Sequence, residues 1–449
     1  MMEKKKIVVL GAGESGTGAA VLAKDKGMDV FLSDYGTVAP RYAAVLDAEG
    51  IEWEQGGHTM ERILDADEVV KSPGIADDTP VMRAVHGRGI HVISEIELAG
   101  RYFTPSTRCV CLTGSNGKTT TTMLTCHILR LAGFDASLAG NIGRSLAMQV
   151  ARGPHDIYVV ELSSFQLDNM YDFRADVAVL LNITPDHLDR YGYSMDNYTD
   201  AKLRVLRNLR PQDSFVHWAD DPVVTARISG GLATPARDLA FAAHPAAGAA
   251  AFADGGMLHL PGTLEMPLTE LSLPGTHNLL NAMAAALAAR AIGAGPEAIR
   301  RGLATFAPVE HRLEPAGTVG GVRWINDSKA TNVNSCFYAL GAMDTPTVLI
   351  LGGKDKGNDY NEILPLVREK VKAIVAMGLH NEKITDFFSP HVRVESTSSL
   401  EAAVDACRRL AAPGDTVLLS PCCASFDLFT SYEDRGRRFK QAVKDLENA

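Results

Sequence analysis

Short β-branched runs that end at Gly-rich or polar turns and then give way to helical patterns recur along this chain, and they narrow its fold more than any other feature. The first set is K-I-V-V-L, then G-A-G-E-S-G-T-G-A-A-V-L-A-K-D-K-G, then D-V-F-L-S-D. Strand, helix and strand in that order require a crossover connection, and therefore a parallel sheet. A second strand, loop and helix begins at R-C-V-C-L-T-G-S-N-G-K-T-T and is followed by strand-like runs at Ile157 to Glu161 and Val177 to Asn182. A third set, V-R-W-I-N-D, T-V-L-I-L-G-G and T-V-L-L-S-P, reads as buried strands that each end on a polar or Gly-rich turn. In sheets of this kind ligands gather at the carboxyl ends of the strands.

The chain has 449 residues, 46% of them apolar, enough for about two to four domain cores. The three sets predict an α/β protein of three domains: an N-terminal Rossmann-like sheet over 1–97, a central P-loop ATPase-like domain over 98–307, and a C-terminal Rossmann-like domain over 308–449, with the last beginning near Pro308. Between about Ala242 and Gly262 an Ala/Gly-rich stretch reads as a surface excursion rather than core. The run G-T-H-N-L-L-N-A-M-A-A-A-L-A-A-R-A-I-G after it reads as a strong helix.

A formal net charge of -10 gives no general attraction to nucleic acid or to an anionic membrane, so a phosphate-bearing ligand has to be caught locally. Seven cysteines, an odd number with no CxxC pair, argue against a disulfide framework or a zinc site and suit a reducing cytoplasm. Lys4 to Lys6 precede only a short apolar run that reads as a strand meeting a turn, and no apolar stretch reaches the roughly eighteen residues of a membrane span. The expectation is a cytoplasmic, monomeric protein acting on small molecules, without nucleic-acid or membrane partners.

Thr113 to Thr120, T-G-S-N-G-K-T-T, follow a strand and open a helix, the context in which backbone N–H groups and a helix N-terminus face an anion. Lys118 would neutralise the β/γ oxygens of a nucleotide, and Thr119 would offer a hydroxyl to Mg²⁺. The pattern G-x-x-x-x-G-K-[ST] would place its first Gly where the chain has Leu112, so this is a shorter variant. Gly11 to Gly16 also fit G-x-G-x-x-G, with Asp34 at the end of the next strand where a ribose-binding acid belongs. A nicotinamide dehydrogenase is therefore a rival reading, although such glycines also serve any diphosphate or close packing, and Glu14 sets a negative charge inside the turn. Glu161 ends a strand and would emerge on the phosphate-loop edge, where it could hold Mg²⁺. His187 leaves another strand in L-N-I-T-P-D-H-L-D-R-Y. Lys202, in Y-T-D-A-K-L-R, reads by itself as a basic residue on a solvated helix face.

Taken in order, G-S-N-G-K-T-T, E-L-S-S-F-Q-L, N-I-T-P-D-H-L-D-R-Y with Y-T-D-A-K-L-R, and N-D-S-K-A-T-N resemble the Mur ligases of bacterial cell-wall synthesis over the whole chain. The last run, with His311-Arg312 before it and L-S-P-C-C-A-S-F-D near the end, is most similar to the branch that adds D-glutamate to a UDP-linked muramoyl-alanine. The resemblance implies an ATP-dependent ligase that forms an amide through an acyl-phosphate. It implies ATP on Gly114, Ser115, Asn116, Gly117, Lys118, Thr119 and Thr120, helped by Asn278 or Asn281, Arg312 and Asp327. It further implies Mg²⁺ on Thr119 and Glu161, and a second ion on His187 and a Lys202 that CO₂ has turned into a carbamate, with Lys118, His187 and Lys202 as catalytic residues. The same comparison puts the UDP-linked substrate near Ser15, Asp34, Ser72 and Gly74, its muramoyl part near Asn141 and Ser163, and the incoming glutamate among Lys329, Thr331, Lys356, Ser425 and Tyr432. Rivals inside this fold are a folylpolyglutamate-type ligase or another Mur enzyme; outside it stands a nucleotide-binding protein without catalysis.

Overall fold

The computed structural model describes residues 4–307, 310–355 and 357–447. Among them three sheets form, each from one of the strand-turn-helix sets. The first is parallel and runs β3-β2-β1-β4-β5, with β1 at Lys6–Leu10, β2 at Asp29–Asp34, β3 at Glu52–Gln55, β4 at Glu68–Lys71 and β5 at His91–Ile93. Strand order reverses between β1 and β4, so the turns after β1, β2 and β4 meet at one carboxyl edge around a topological switch point.

The central sheet has nine strands in the order β14-β13-β12-β11-β10-β9-β6-β8-β7. They are β6 (Arg108–Thr113), β7 (Ala136–Gly140), β8 (Ile157–Glu161), β9 (Val177–Leu180), β10 (Ser214–Trp218), β11 (Arg237–Ala242), β12 (Ala251–Asp254), β13 (Met257–Leu260) and β14 (Leu264–Pro267). The Ala/Gly-rich stretch expected as a surface excursion instead supplies β12 and β13, which extend this sheet. Ala251 and Ala253 alternate inward and meet buried Leu258 and Leu260, while Phe252 stacks across the strand pair on His259 at 5.0 Å. Period-two burial and a cross-strand ring pair thus outweigh the loop-like composition.

The third sheet runs β15-β16-β20-β17-β18-β19, from β15 (Glu314–Val319), β16 (Val322–Asn326), β17 (Thr347–Leu351), β18 (Val371–Met377), β19 (Arg393–Thr397) and β20 (Thr416–Leu419). Only β15 is antiparallel to its neighbour. Alternate residues of the same strands feed two cores: Ile325, Leu349, Ile374 and Leu418 on one face, Trp324, Val348, Val375 and Val417 on the other.

Two compact units result, Met1–Leu271 with Asn278–Phe306, and Ser272–His277 with Ala307–Ala449. The first holds the N-terminal and central sheets, the second holds the third. The expected start near Pro308 lies outside the described residues. All seven cysteines are free and buried, and no helix of the described residues is long and apolar enough to cross a membrane.

Candidate active site

Strand β6 ends at Thr113, and the loop after it opens into the helix Lys118–Leu131. Leu112, which stands where the longer motif has Gly, is a fully buried strand residue in register with Glu161, so the loop here begins after the strand is complete. Gly117 has φ +84, and a Cβ on it would lie 2.3 Å from Asn281 Oδ1; only glycine meets both conditions. The loop is fastened to the end of β9. Ser115 N donates to Asn182 O and Asn116 N to Asn182 Oδ1, each at 2.8 Å, and Ser115 Oγ donates to Thr184 O at 2.8 Å. Asn281 accepts from Thr121 Oγ1 at 3.2 Å and donates to Asn278 Oδ1 at 3.4 Å, which brings both asparagines to this loop. Thr120 lies in the same first helical turn, its hydroxyl buried without a hydrogen-bond partner.

Two lysine side chains converge on one carbonyl. Lys118 Nζ donates to Gly114 O and Ser115 O, and Lys202 Nζ to Gly114 O, all at 2.8 Å. Lys202 is therefore not on a solvated face, as its helix pattern had suggested. The helix Met195–Leu203 turns Asp196 and Asp200 to solvent and buries Tyr198, Thr199, Ala201 and Lys202, with the amine 4.6 Å from the centre of the Tyr198 ring. Burial, reinforced by the positive charge of Lys118, pushes the Lys202 pKa far below that of an ordinary lysine, which favours a neutral amine.

Glu161 closes β8 beside β6 and is 1% exposed. Its Oε1 accepts from Asn141 Nδ2 at 2.8 Å, while Oε2 is buried without a hydrogen-bond partner. A carboxylate oxygen orphaned next to a phosphate loop, with the Thr119 hydroxyl in the adjacent helical turn, is an all-oxygen donor set that suits Mg²⁺. His187, at φ +52 in the loop beyond β9, is 43% exposed at its side chain, rests edge-on against Phe165 and has Nε2 3.7 Å from Asp186 Oδ2. The negative charge of Asp186 also acts on Lys202 and partly offsets its depression.

On the first sheet the glycine turn is fixed by packing. A Cβ on Gly16 would fall 1.8 Å from Gly11 O, and Ser72 Oγ donates to that same oxygen at 3.4 Å. Asp34 does not stand open for a ribose: its carboxylate accepts from Ala12 N at 2.6 Å and Gly36 N at 2.7 Å. Glu14 accepts from Ser145 N at 3.1 Å. Ser15 is half-buried and Gly74 exposed on this edge. Ser163 caps the helix Ser164–Leu167 in a capping box with Gln166, so its hydroxyl already has a structural task.

The second unit gathers the remaining residues. Asp327 is buried after β16, accepts from Leu313 N at 3.2 Å and Ser420 Oγ at 2.8 Å, and is pushed up to about 6 by burial, against the pull of Arg312. Arg312 keeps a buried Nε without a hydrogen-bond partner. The Lys329 ammonium lies 5.3 Å from the centre of the Tyr432 ring, Thr331 is half-buried, and Ser425 is buried. Lys356 lies outside the described residues; Lys354, two positions before it, exchanges backbone hydrogen bonds with Ala424 at 2.8 and 3.2 Å, which sets that loop against Ser425. Sequence reasoning missed Arg435. Fully buried in the helix Tyr432–Glu447, it donates to Ser328 Oγ at 2.9 Å, Ser328 O at 2.8 Å and Cys423 O at 3.3 Å, and so ties the N-D-S-K run to the P-C-C-A-S run.

Comparison with known proteins adds an independent line. Residues 5–94 match the model of a Mur ligase MurD-like N-terminal domain, 112–289 that of the Mur ligase middle domain, and 311–423 that of the Mur ligase glutamate ligase domain. The chain is 54% identical to the UDP-N-acetylmuramoylalanine--D-glutamate ligase of Bacteroides fragilis, with 98% of this chain and all of that one covered. It is 51% identical to the protein of the same name from Porphyromonas gingivalis, with 99% of both covered. Among solved structures, a pseudomurein peptide ligase type C from Methanothermus fervidus superposes with a TM-score of 0.64 at 20% identity, covering 99% of this chain and 100% of that one. That likeness speaks for the fold.

Proposed function

The chain belongs to the Mur ligase family, and from that premise we propose that it uses ATP to join D-glutamate to UDP-N-acetylmuramoyl-L-alanine, a step in making peptidoglycan precursors. The observation that supports this most is the pairing of full-length relatives of that name with a phosphate loop whose Gly114 carbonyl holds both Lys118 and Lys202.

A carboxylate is a poor acyl donor at neutral pH. In this reading a carboxylate oxygen of the alanyl substrate attacks the γ-phosphorus of ATP, ADP leaves, and the mixed anhydride so formed has phosphate as a good leaving group. The amine of D-glutamate then attacks the carbonyl carbon, the amide forms and phosphate departs. Lys118 screens the repulsion between carboxylate and γ-phosphate and spreads the charge of the transition state. Thr119 and Glu161 would hold one magnesium ion and His187 with Lys202 a second, which would further neutralise the phosphates. For the second position the neutral Lys202 amine adds to CO₂ and loses a proton, which converts a cation into an oxygen ligand; its burial supports this. Asn278, Asn281, Arg312 and Asp327 are assigned to ATP, the edge with Ser15, Asp34, Ser72 and Gly74 to the uridine diphosphate, Asn141 and Ser163 to the muramoyl part, and Lys329, Thr331, Lys356, Ser425 and Tyr432 to D-glutamate. The domain boundaries after 97 and 307, a cytoplasmic location and a single acting chain belong to the same proposal.

Phosphate release measured with UDP-N-acetylmuramoyl-L-alanine and ATP, separately with D-glutamate, L-alanine and meso-diaminopimelate, tests it. Release that depends on D-glutamate alone is expected; release with another amino acid, or with none, contradicts the assignment.

A further inference from the structure

Two non-glycine residues with left-handed backbone, His311 at φ +65 and Leu313 at φ +44, flank Arg312. Side chains rarely adopt that region, histidine more readily than leucine, and such residues persist only where their surroundings over-determine them. The surroundings do so here. His311 N donates to Glu314 Oε2 at 2.9 Å and Leu313 N to Asp327 Oδ1 at 3.2 Å, while His311 O accepts from Lys329 N at 3.0 Å. The His311 imidazole is buried, and its Nδ1 lies 2.9 Å from Asn326 Nδ2. That amide has one orientation, since Nδ2 also donates to Glu314 Oε2 at 3.0 Å and Oδ1 accepts from Ser328 N at 3.2 Å, so Nδ1 is the acceptor. A Cβ on Gly436, in the helix Tyr432–Glu447, would fall 2.2 Å from the same Nδ1. Glycine inside a helix is destabilising relative to alanine, so its presence there answers to the ring. The Tyr432 ring stands edge-on to the imidazole at 6.2 Å, and the Lys329 ammonium lies 5.3 Å from the centre of that tyrosine.

We propose that His311 is a positioning residue that ties the nucleotide set of the second unit to its glutamate set, so that one wedged imidazole tunes the affinity for ATP and for D-glutamate together. This rests on the reading that Arg312 and Asp327 serve ATP and that Lys329 and Tyr432 serve D-glutamate. The ring locks a left-handed turn that carries Arg312 and bonds Asp327, while the carbonyl of the same residue holds the Lys329 backbone and its ring meets Tyr432. Loosening the wedge therefore displaces both sets at once.

The test is steady-state kinetics on the whole protein, each of the three substrates varied in turn, with melting temperature as a check on folding. Gly436→Ala, whose new methyl contests the space of the imidazole, and His311→Gly, which removes it, are each expected to raise the KM for ATP and for D-glutamate by about tenfold. The KM for UDP-N-acetylmuramoyl-L-alanine is expected to stay at the wild-type value. In the double variant no ring remains for the methyl to displace, so it is expected to match His311→Gly rather than reach the roughly hundredfold of two independent effects. Leu313→Gly frees the same turn from its other end, is expected to raise the same two values, and decides the matter should a buried variant fail to fold. A rise in only one of the two KM values, a fall in kcat with both unchanged, an additive double variant, or wild-type values in Leu313→Gly each overturn the proposal and leave the ligase reading standing. Wild type that releases no phosphate with D-glutamate overturns that reading and the proposal with it.

Discussion

Lys202 shows how much a single side chain can depend on distant partners. A lysine four residues after a tyrosine on a polar helix is ordinarily solvated, and nothing within nine residues on either side announces otherwise. Its partner is the Gly114 carbonyl, 88 positions away, and the low-dielectric setting created there disfavours its charge. Arg435, bonded to Ser328 across 107 positions, was illegible for the same reason. Lys118, by contrast, is named by its own loop. Two outcomes follow. Lys118→Ala is expected to cut phosphate release by about two to three orders of magnitude with an unchanged circular dichroism spectrum and melting temperature; retained turnover contradicts the phosphate-loop assignment. Lys202→Ala is expected to lose about a hundredfold in kcat and to recover part of it with added acetate or formate, which restores an oxygen ligand; full activity without rescue contradicts the carbamate.

Among elements, the parallel strands were readable because strands buried on both faces are written as unbroken apolar runs that stop at glycine or a polar residue. The strands β12 and β13 were not, since alanine and glycine spell a loop until the partner strand and the Phe252–His259 stack are seen. A second buried acid surfaced only in the structure. Glu95 opens the helix Glu95–Gly100 and its Oε1 accepts from Ser145 Oγ and Ala147 N, both at 2.6 Å, while Oε2 is buried without a hydrogen-bond partner. Glu14, which accepts from Ser145 N, adds a like charge. Burial, more than that charge, pushes Glu95 up to about 7 from 4.5. A raised carboxyl binds its proton more tightly in the folded state, so its stabilising contribution is complete below about pH 4.5 and is lost as the pH rises through about 7; the whole effect is at most about 3 kcal/mol. Wild type is therefore expected to melt higher at about pH 5 than at about pH 8 by more than Glu95→Gln does. Equal pH slopes for the two proteins contradict this.

Across the whole molecule, three sheets are visible in three sets of strand-turn-helix signals, and the sequential order of four short motifs by itself points to the family. The gathering of chain into two compact units was not visible, because the contacts that merge the first two sheets, such as Glu14 and Glu95 with the Ser145 turn, join ordinary-looking acids over 131 and 50 positions. A net charge of -10 on a protein that handles two polyphosphates fits capture by local devices, the glycine turns and helix N-termini, rather than by a general field.

The central claim is that a terminal phosphate held at Gly117, Lys118 and Thr119 is passed to a substrate carboxylate before the amide forms. UDP-N-acetylmuramoyl-L-alanine carrying heavy oxygen in its alanyl carboxylate, turned over with ATP and D-glutamate, reports on it directly by mass spectrometry of the released phosphate. The account predicts one heavy oxygen in each phosphate and one retained in the amide carbonyl. Phosphate without the label, alongside amide formation, would contradict it.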